Sequence, residues 1–154
     1  TTGRRGVNIF MQGAPGTGKT TLARSLANEL GCELFEVAAE DTGFDAASFD
    51  LVTSYIVLHE IPAAVTRAQM REAFRLLRPG GDLLFSDVTP YKALDKAGVR
   101  WAEYTAVHGG EPFWCEAATL DLAQAARDAG FVDVRSEGLN GGKYPWVTYG
   151  HKPE

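Results

Sequence analysis

Eight residues, Gly13-Ala14-Pro15-Gly16-Thr17-Gly18-Lys19-Thr20, follow the spacing of a glycine, four free positions, then Gly-Lys-Thr. That spacing suits a phosphate group. Glycines admit backbone conformations that a Cβ forbids, so successive N–H groups can converge on one anion. The flanks agree. Val7 to Gln12 is an apolar run that reads as a strand, and Leu22, Ala23, Leu26, Ala27 and Leu30 share one helix face before Gly31 stops it. A helix opening near Gly18 turns its positive dipole end toward the same spot. In such a loop Lys19 reaches the β and γ phosphates and the Thr20 hydroxyl ligates Mg²⁺. The expected cofactor-binding residues are therefore Gly13, Ala14, Pro15, Gly16, Thr17, Gly18, Lys19, Thr20 and Thr21. The expected ligand is ATP or another nucleoside triphosphate with Mg²⁺.

Two acids farther on could complete a metal site. Asp87 ends the apolar run Leu83-Leu84-Phe85-Ser86, and Glu60 follows the apolar run that ends at Leu58. Acids at the carboxyl ends of parallel strands stand on the ligand side of an α/β sheet. Asp87 falls two strands from the glycine-rich loop, about 9–10 Å at the usual strand spacing, which suits a water-mediated contact with Mg²⁺. Both acids also read as ordinary polar strand ends, as do Glu40 and Asp41. His59 reads as a hydrogen-bonded loop histidine, and His108 and His151 receive no role.

The elements that must position these residues follow from apolar spacing and from glycine and proline breaks. A second strand spans Cys32 to Ala38, a third about Phe49 to Ser54, and a fourth Asp82 to Val88. The fifth and sixth, Phe131 to Glu137 and Tyr144 to His151, are joined by a hairpin turn at Asn140-Gly141-Gly142-Lys143. Helices are expected over about Ala64 to Leu77, ended by Arg78-Pro79-Gly80-Gly81, more weakly over Leu94 to Ala106, and over Thr119 to Ala129. His108 to Pro112 is expected as loop. Trp101, Phe113, Trp114 and Trp146 read as core or lid packing.

Composition sets the outer bounds. The chain has 154 residues, net charge −5, and ordinary shares of apolar (45%) and charged (23%) residues, so one α/β domain with a real core is expected. It has no basic block to attract nucleic acid and no apolar run of membrane-spanning length. The two cysteines, Cys32 and Cys115, form no framework or metal pattern and are compatible with a reducing, cytoplasmic setting. Nothing in the sequence fixes the oligomeric state, with a monomer the simplest expectation.

Two resemblances overlay these readings. Residues 8–30, NIFMQGAPGTGKTTLARSLANEL, resemble the opening of P-loop kinases and AAA-type ATPases, a likeness that covers about residues 6–37. From residue 48 onward the chain resembles the later half of class I S-adenosylmethionine-dependent methyltransferases. That likeness rests on SFDLVTSYIVLHEI at 48–61, MREAFRLLRPGGDLLFSDV at 70–88 and LAQAARDAGFVDVRSE at 122–137, then a final hairpin, through about residue 152. It implies a substrate lid near Trp114. The methyltransferase Gly-x-Gly-x-Gly turn is not evident, and the phosphate loop stands in its place.

Together the two likenesses predict a recombined or engineered chimera, residues 1–41 from a P-loop element and 42–154 from a methyltransferase. The expected fold is a three-layer α/β sandwich: a mostly parallel, Rossmann-like or P-loop sheet in strand order 2-1-3-4-6-5, with an antiparallel hairpin at one edge. The expected function is binding of a phosphate-containing small molecule, with weak or no hydrolysis. Transfer also needs a positioned nucleophile and a charge clamp, and Arg24, Arg78 and Arg100 have no evident place for that task. No catalytic residue is assigned. S-adenosylmethionine is disfavoured, because Lys19 would set a cation beside its sulfonium. The alternatives are an S-adenosylmethionine-dependent methyltransferase and a structural hybrid without activity.

Overall fold

Lys19–Leu30 forms helix α1, closed by Gly31 in the left-handed region at φ 62°. Gly31 N–H donates to the Asn28 carbonyl at 3.3 Å. Both are as the apolar spacing predicts. The computed structural model describes residues 19–31 and 37–154. The expected loop at residues 13–18, the strand before it and most of the strand from Cys32 lie outside the described residues. The chain divides into two compact units, Thr1–Glu36 and Val37–Glu154.

In the second unit, Ala38 bridges Asp41, and then strand β1 runs over Phe49–Tyr55. Helix α2 spans Ala63–Leu76 and leads directly into strand β2, Leu77–Asp87. Helices α3 (Lys96–Gly109), α4 (Trp114–Thr119) and α5 (Leu122–Asp128) follow, then strands β3 (Val132–Gly138) and β4 (Trp146–His151). The sheet order is β1-β2-β4-β3, parallel between β1 and β2 and antiparallel elsewhere. This is the 3-4-6-5 portion of the order expected from the sequence, with the final hairpin folded back antiparallel.

Register shows which faces are buried. Leu83 pairs with Val52 and Phe85 with Ser54, so Leu83 and Phe85 point to one side. On that side α2 offers Met70 and Ala73, neighbours on one helical stripe, and α5 offers Leu122, Ala125 and Ala126. Each large side chain removed from water here contributes roughly 1.5–3 kcal/mol. The β1 run is less buried than its apolar content implies: Leu51 and Tyr55 stay about half exposed. Among the described residues β1 pairs only with β2.

Helix α2 stops just before Arg78-Pro79-Gly80-Gly81, as expected, but the stretch itself is the opening of β2, which was expected to begin only at Asp82. Gly80 sits at φ +77°, and its N–H donates to the Lys152 carbonyl. A Cβ on Gly81 would lie 3.0 Å from the carbonyl oxygens of both Arg78 and Asp50. The two glycines thus let the strand irregularity between Phe49 and Leu51 close against β1. α4 was not foreseen. It is only six residues long, too short for periodicity to reveal.

The connection before β1 is pinned to α2 by a buried acid. Glu72 Oε1 accepts from Thr42 N at 2.9 Å and Thr42 Oγ1 at 2.6 Å, and Arg75 donates to both its oxygens at 2.7–2.8 Å. The Arg75 hydrogen bond, opposed by desolvation and assisted by Thr42, lowers the Glu72 carboxyl from 4.5 to about 2. A carboxyl depressed in the folded state stabilises above its unfolded pKa and loses that contribution as pH falls through its folded pKa. Discounted for the partly exposed Arg75, the contribution is about 1–2 kcal/mol at neutral pH. Urea midpoints of Glu72→Gln should therefore lie below those of the parent at pH 7, with the gap closing between pH 4.5 and 2. A gap of constant size across that window would refute the assignment.

Candidate active site at the carboxyl edge of the sheet

β1 and β2 run parallel, so Tyr55 and Asp87 end on the same edge. Ile56 N–H extends the ladder by donating to the Ser86 carbonyl at 2.8 Å, but Ile56 itself takes φ 54°. A β-branched residue rarely adopts that conformation, and such strain persists where surrounding contacts hold it. The holding contacts are to Asp87. Its Oδ2 accepts from Val57 N at 2.9 Å and Leu58 N at 2.7 Å. The chain then makes a short 3-10 turn, Leu58–Glu60, which presents His59 and Glu60.

Asp87 is almost wholly buried, at 1% exposure. Its Oδ1 accepts from Val88 N at 2.7 Å and lies 2.8 Å from His59 Nδ1. Four donors thus surround one carboxylate, which is how a charge is tolerated away from water. Because Asp87 only accepts, His59 Nδ1 carries the hydrogen, and in the neutral ring the lone pair is on Nε2. Nε2 faces Glu111 Oε2 at 3.6 Å, beyond hydrogen-bond length. Burial, the largest single influence, pulls the His59 pKa down. The Asp87 hydrogen bond and the charges of Asp87, Glu111 and Glu60 outweigh it, so the net shift is upward.

The His59 ring also packs edge-on against Trp114, with centroids 5.0 Å apart. Trp114 opens α4, which is tied down where Glu116 Oε1 accepts from Ala63 N at 2.9 Å. Pro62 offers no side-chain cap to α2, and Glu116 takes that place. Trp114, Trp101 and Ala102, with Leu94, Thr89 and Tyr144, line a mostly apolar cavity of about 440 Å³, within the usual range for a small-molecule site. Desolvation first, then the charge of Asp87, raises the Tyr144 pKa, which places that phenol within electrostatic reach of Asp87. His59 does not line this cavity itself but packs against the Trp114 that does, and a larger hollow of about 630 Å³, lined by Leu84, Arg135 and Tyr149 among others, does not include His59 either.

Of the residues expected to do chemistry, Asp87 and Glu60 do reach this edge. Asp87 is occupied by hydrogen bonds. Glu60 is exposed, and His59, Glu60 and Glu111 each bring a donor atom within 4.8 Å of the others. Lys19, Thr20 and Thr21 form the first turn of α1 in the first unit. Gly13, Ala14, Pro15, Gly16, Thr17 and Gly18 lie outside the described residues. Sequence reasoning missed Glu111: fifty-two positions separate it from His59, and no spacing rule spans a fold-dependent contact. Trp101, expected in the core or a lid, lines the cavity and is 65% exposed.

The comparisons with known proteins point one way. The family profile described as "Methyltransferase domain" matches residues 15–85, a little under half of the chain. An arsenite methyltransferase of Aquipseudomonas alcaligenes is 37% identical over 89 residues, 57% of this chain. The chain spans about a quarter (24%) of the length of that curated relative. An O-methyltransferase family protein from Burkholderia thailandensis superposes over 90% of this chain and 42% of its own, with TM-score 0.65 and 23% identity. A SAM-dependent methyltransferase from Methanosarcina mazei covers 90% of this chain and 79% of its own, with TM-score 0.61 and 18% identity. The phosphoethanolamine N-methyltransferase 2 of Haemonchus contortus, solved with S-adenosyl-L-methionine, covers 80% and 36%, with TM-score 0.53 and 17% identity. The chain has the α/β fold of these enzymes.

These findings overturn the chimera. The methyltransferase match starts at Pro15, inside the glycine-rich stretch, and runs unbroken through residues 42–48, where a join was expected. No P-loop kinase or ATPase element is supported, nor is ATP with Mg²⁺ as cofactor. A glycine-rich turn between strand and helix lets backbone approach any ligand at the sheet edge, so its spacing alone does not select phosphate. The objection to S-adenosylmethionine, which weighed Lys19 alone, is overturned by the same methyltransferase match.

Proposed function

We propose that this chain carries S-adenosylmethionine-dependent methyl transfer to a small-molecule acceptor held beside Trp114 and His59. The methyltransferase match over residues 15–85 supports this reading most directly. The chemistry of the rim agrees with it. S-adenosylmethionine, when bound, supplies a methyl group on a sulfonium, and a cation is favoured beside three carboxylates. The cavity walls, Trp101, Ala102 and Trp114, exclude water from the acceptor. The His59 and Glu111 end of the site is where an acceptor's nucleophilic atom meets groups able to accept its proton.

The deciding measurement is calorimetric titration of this chain with S-adenosylmethionine, S-adenosylhomocysteine and ATP–Mg²⁺. Saturable binding of the two adenosyl compounds with no heat from ATP–Mg²⁺ is the expected outcome. Binding of ATP–Mg²⁺ with no response to either adenosyl compound would refute the proposal.

A further inference from the structure

We infer that His59 Nε2, Glu60 and Glu111 form a binding site for a first-row divalent cation, Mn²⁺ or Zn²⁺, beside Trp114 at the carboxyl edge of the sheet. Among the described residues these three are a group of side chains whose donor atoms converge within 4.8 Å. Two exposed or half-exposed glutamates would mean little by themselves. The third member is different in kind. His59 is 96% removed from solvent (4% exposed), yet its Nε2 makes no hydrogen bond of ordinary length and is aimed at Glu111.

The spacing favours a shared ion over a direct bond. Nε2 and Glu111 Oε2 stand 3.6 Å apart. Two donors each about 2.1 Å from a tetrahedral ion stand about 3.4 Å apart, so a contraction of a few tenths of an ångström completes that pair. Glu60, exposed on the same turn as His59, is free to swing inward. Asp87 supplies the outer support a metal-binding imidazole needs: it takes the Nδ1 hydrogen, fixes the tautomer and holds the ring. Asp87 is itself fixed by three backbone N–H groups.

One imidazole with two carboxylates suits Mn²⁺ or Zn²⁺ better than Mg²⁺, which prefers oxygen ligands and retains its water. Charge balance leaves room for a sulfonium alongside. Asp87, Glu60 and Glu111 carry three negative charges, so a divalent ion beside a neutral imidazole leaves the rim net negative. Three protein donors leave coordination positions for an acceptor oxygen; with the ion bound, Nε2 no longer accepts the acceptor's proton directly, and the ion would instead lower that oxygen's pKa. The acceptor role rests on the methyl-transfer reading, whereas the ion site does not.

Metal binding is read directly. Chelator-stripped protein is titrated with Mn²⁺, following loss of the free-ion paramagnetic resonance signal, and then with Zn²⁺ in competition. One ion per chain is expected. Glu111→Gln and His59→Gln should each weaken binding at least tenfold, and Glu137→Gln, an exposed strand acid, should leave it unchanged. Glu111 is in a loop, so its variant isolates ligation from folding, which circular dichroism checks. Absence of stoichiometric uptake, or equal affinity in Glu111→Gln, would overturn the site. Titrating the same stripped protein with S-adenosylhomocysteine separates the two ideas: nucleoside binding without ion uptake removes the metal site alone, and ion uptake without nucleoside binding removes the methyl-transfer reading alone.

Discussion

Replacing Asp87 with alanine should cost about 3–5 kcal/mol of stability, a large fraction of what holds a domain of this size together. The side chain is buried and accepts from Val57 N, Leu58 N, Val88 N and His59. Truncation leaves three backbone donors without partners and takes away the counter-charge of a buried imidazole, and each orphaned donor costs roughly 1–3 kcal/mol. The losses are not additive, because the turn at Ile56 can relax once released. Urea denaturation would show a lower midpoint, and amide exchange at Val57, Leu58 and Val88 would accelerate selectively. A loss below 1 kcal/mol would mean that water satisfies these donors and that Asp87 is not the anchor of the site.

A second large effect is expected on activity. His59→Gln should lower kcat for methyl transfer by about 10²–10³, measured as S-adenosylhomocysteine release with any acceptor that supports turnover. Glutamine keeps a donor toward Asp87 and much of the bulk against Trp114, but it has no imidazole lone pair at the Nε2 position. Affinity for S-adenosylhomocysteine should stay within about threefold, because the change falls at the acceptor end. Activity within threefold of the parent would detach His59 from the chemistry and leave it a purely structural partner of Asp87.

Much of the chain was legible before its fold was known, and particular residues show why. Leu22, Leu26 and Leu30 define α1, and Gly31 ends it. Met70 and Ala73 define the buried stripe of α2. The Gly141-Gly142 turn between β3 and β4, and the antiparallel return, followed from local turn chemistry. Other readings failed because they asked local sequence for tertiary information. Arg78-Pro79-Gly80-Gly81 does follow the end of α2, yet the strand expected from Asp82 already begins at Leu77, because these glycines let it pass close to the Asp50 backbone. The Gly-x-x-x-x-Gly-Lys-Thr spacing does not by itself select phosphate, because a glycine-rich stretch serves any ligand that backbone must approach. The methyltransferase likeness, recognised from residue 48 onward, was stopped too early on that account.

The sequence by itself determined most of the helices and strands among the described residues, the final hairpin, and that Glu60 and Asp87 end up at the sheet's carboxyl edge. Those properties depend on periodicity, on glycine and proline, and on the short connections between neighbours. Only the tertiary structure decided that Asp87 would be consumed by backbone donors, that His59 would be buried with one nitrogen held and the other aimed at Glu111, and that Trp114 would close over it. Apart from the Val88 N–H, each of these contacts joins residues about thirty or more positions apart. Their meeting depends on how the β1 turn, the end of β2 and the α3–α4 connection pack, and no local pattern encodes that.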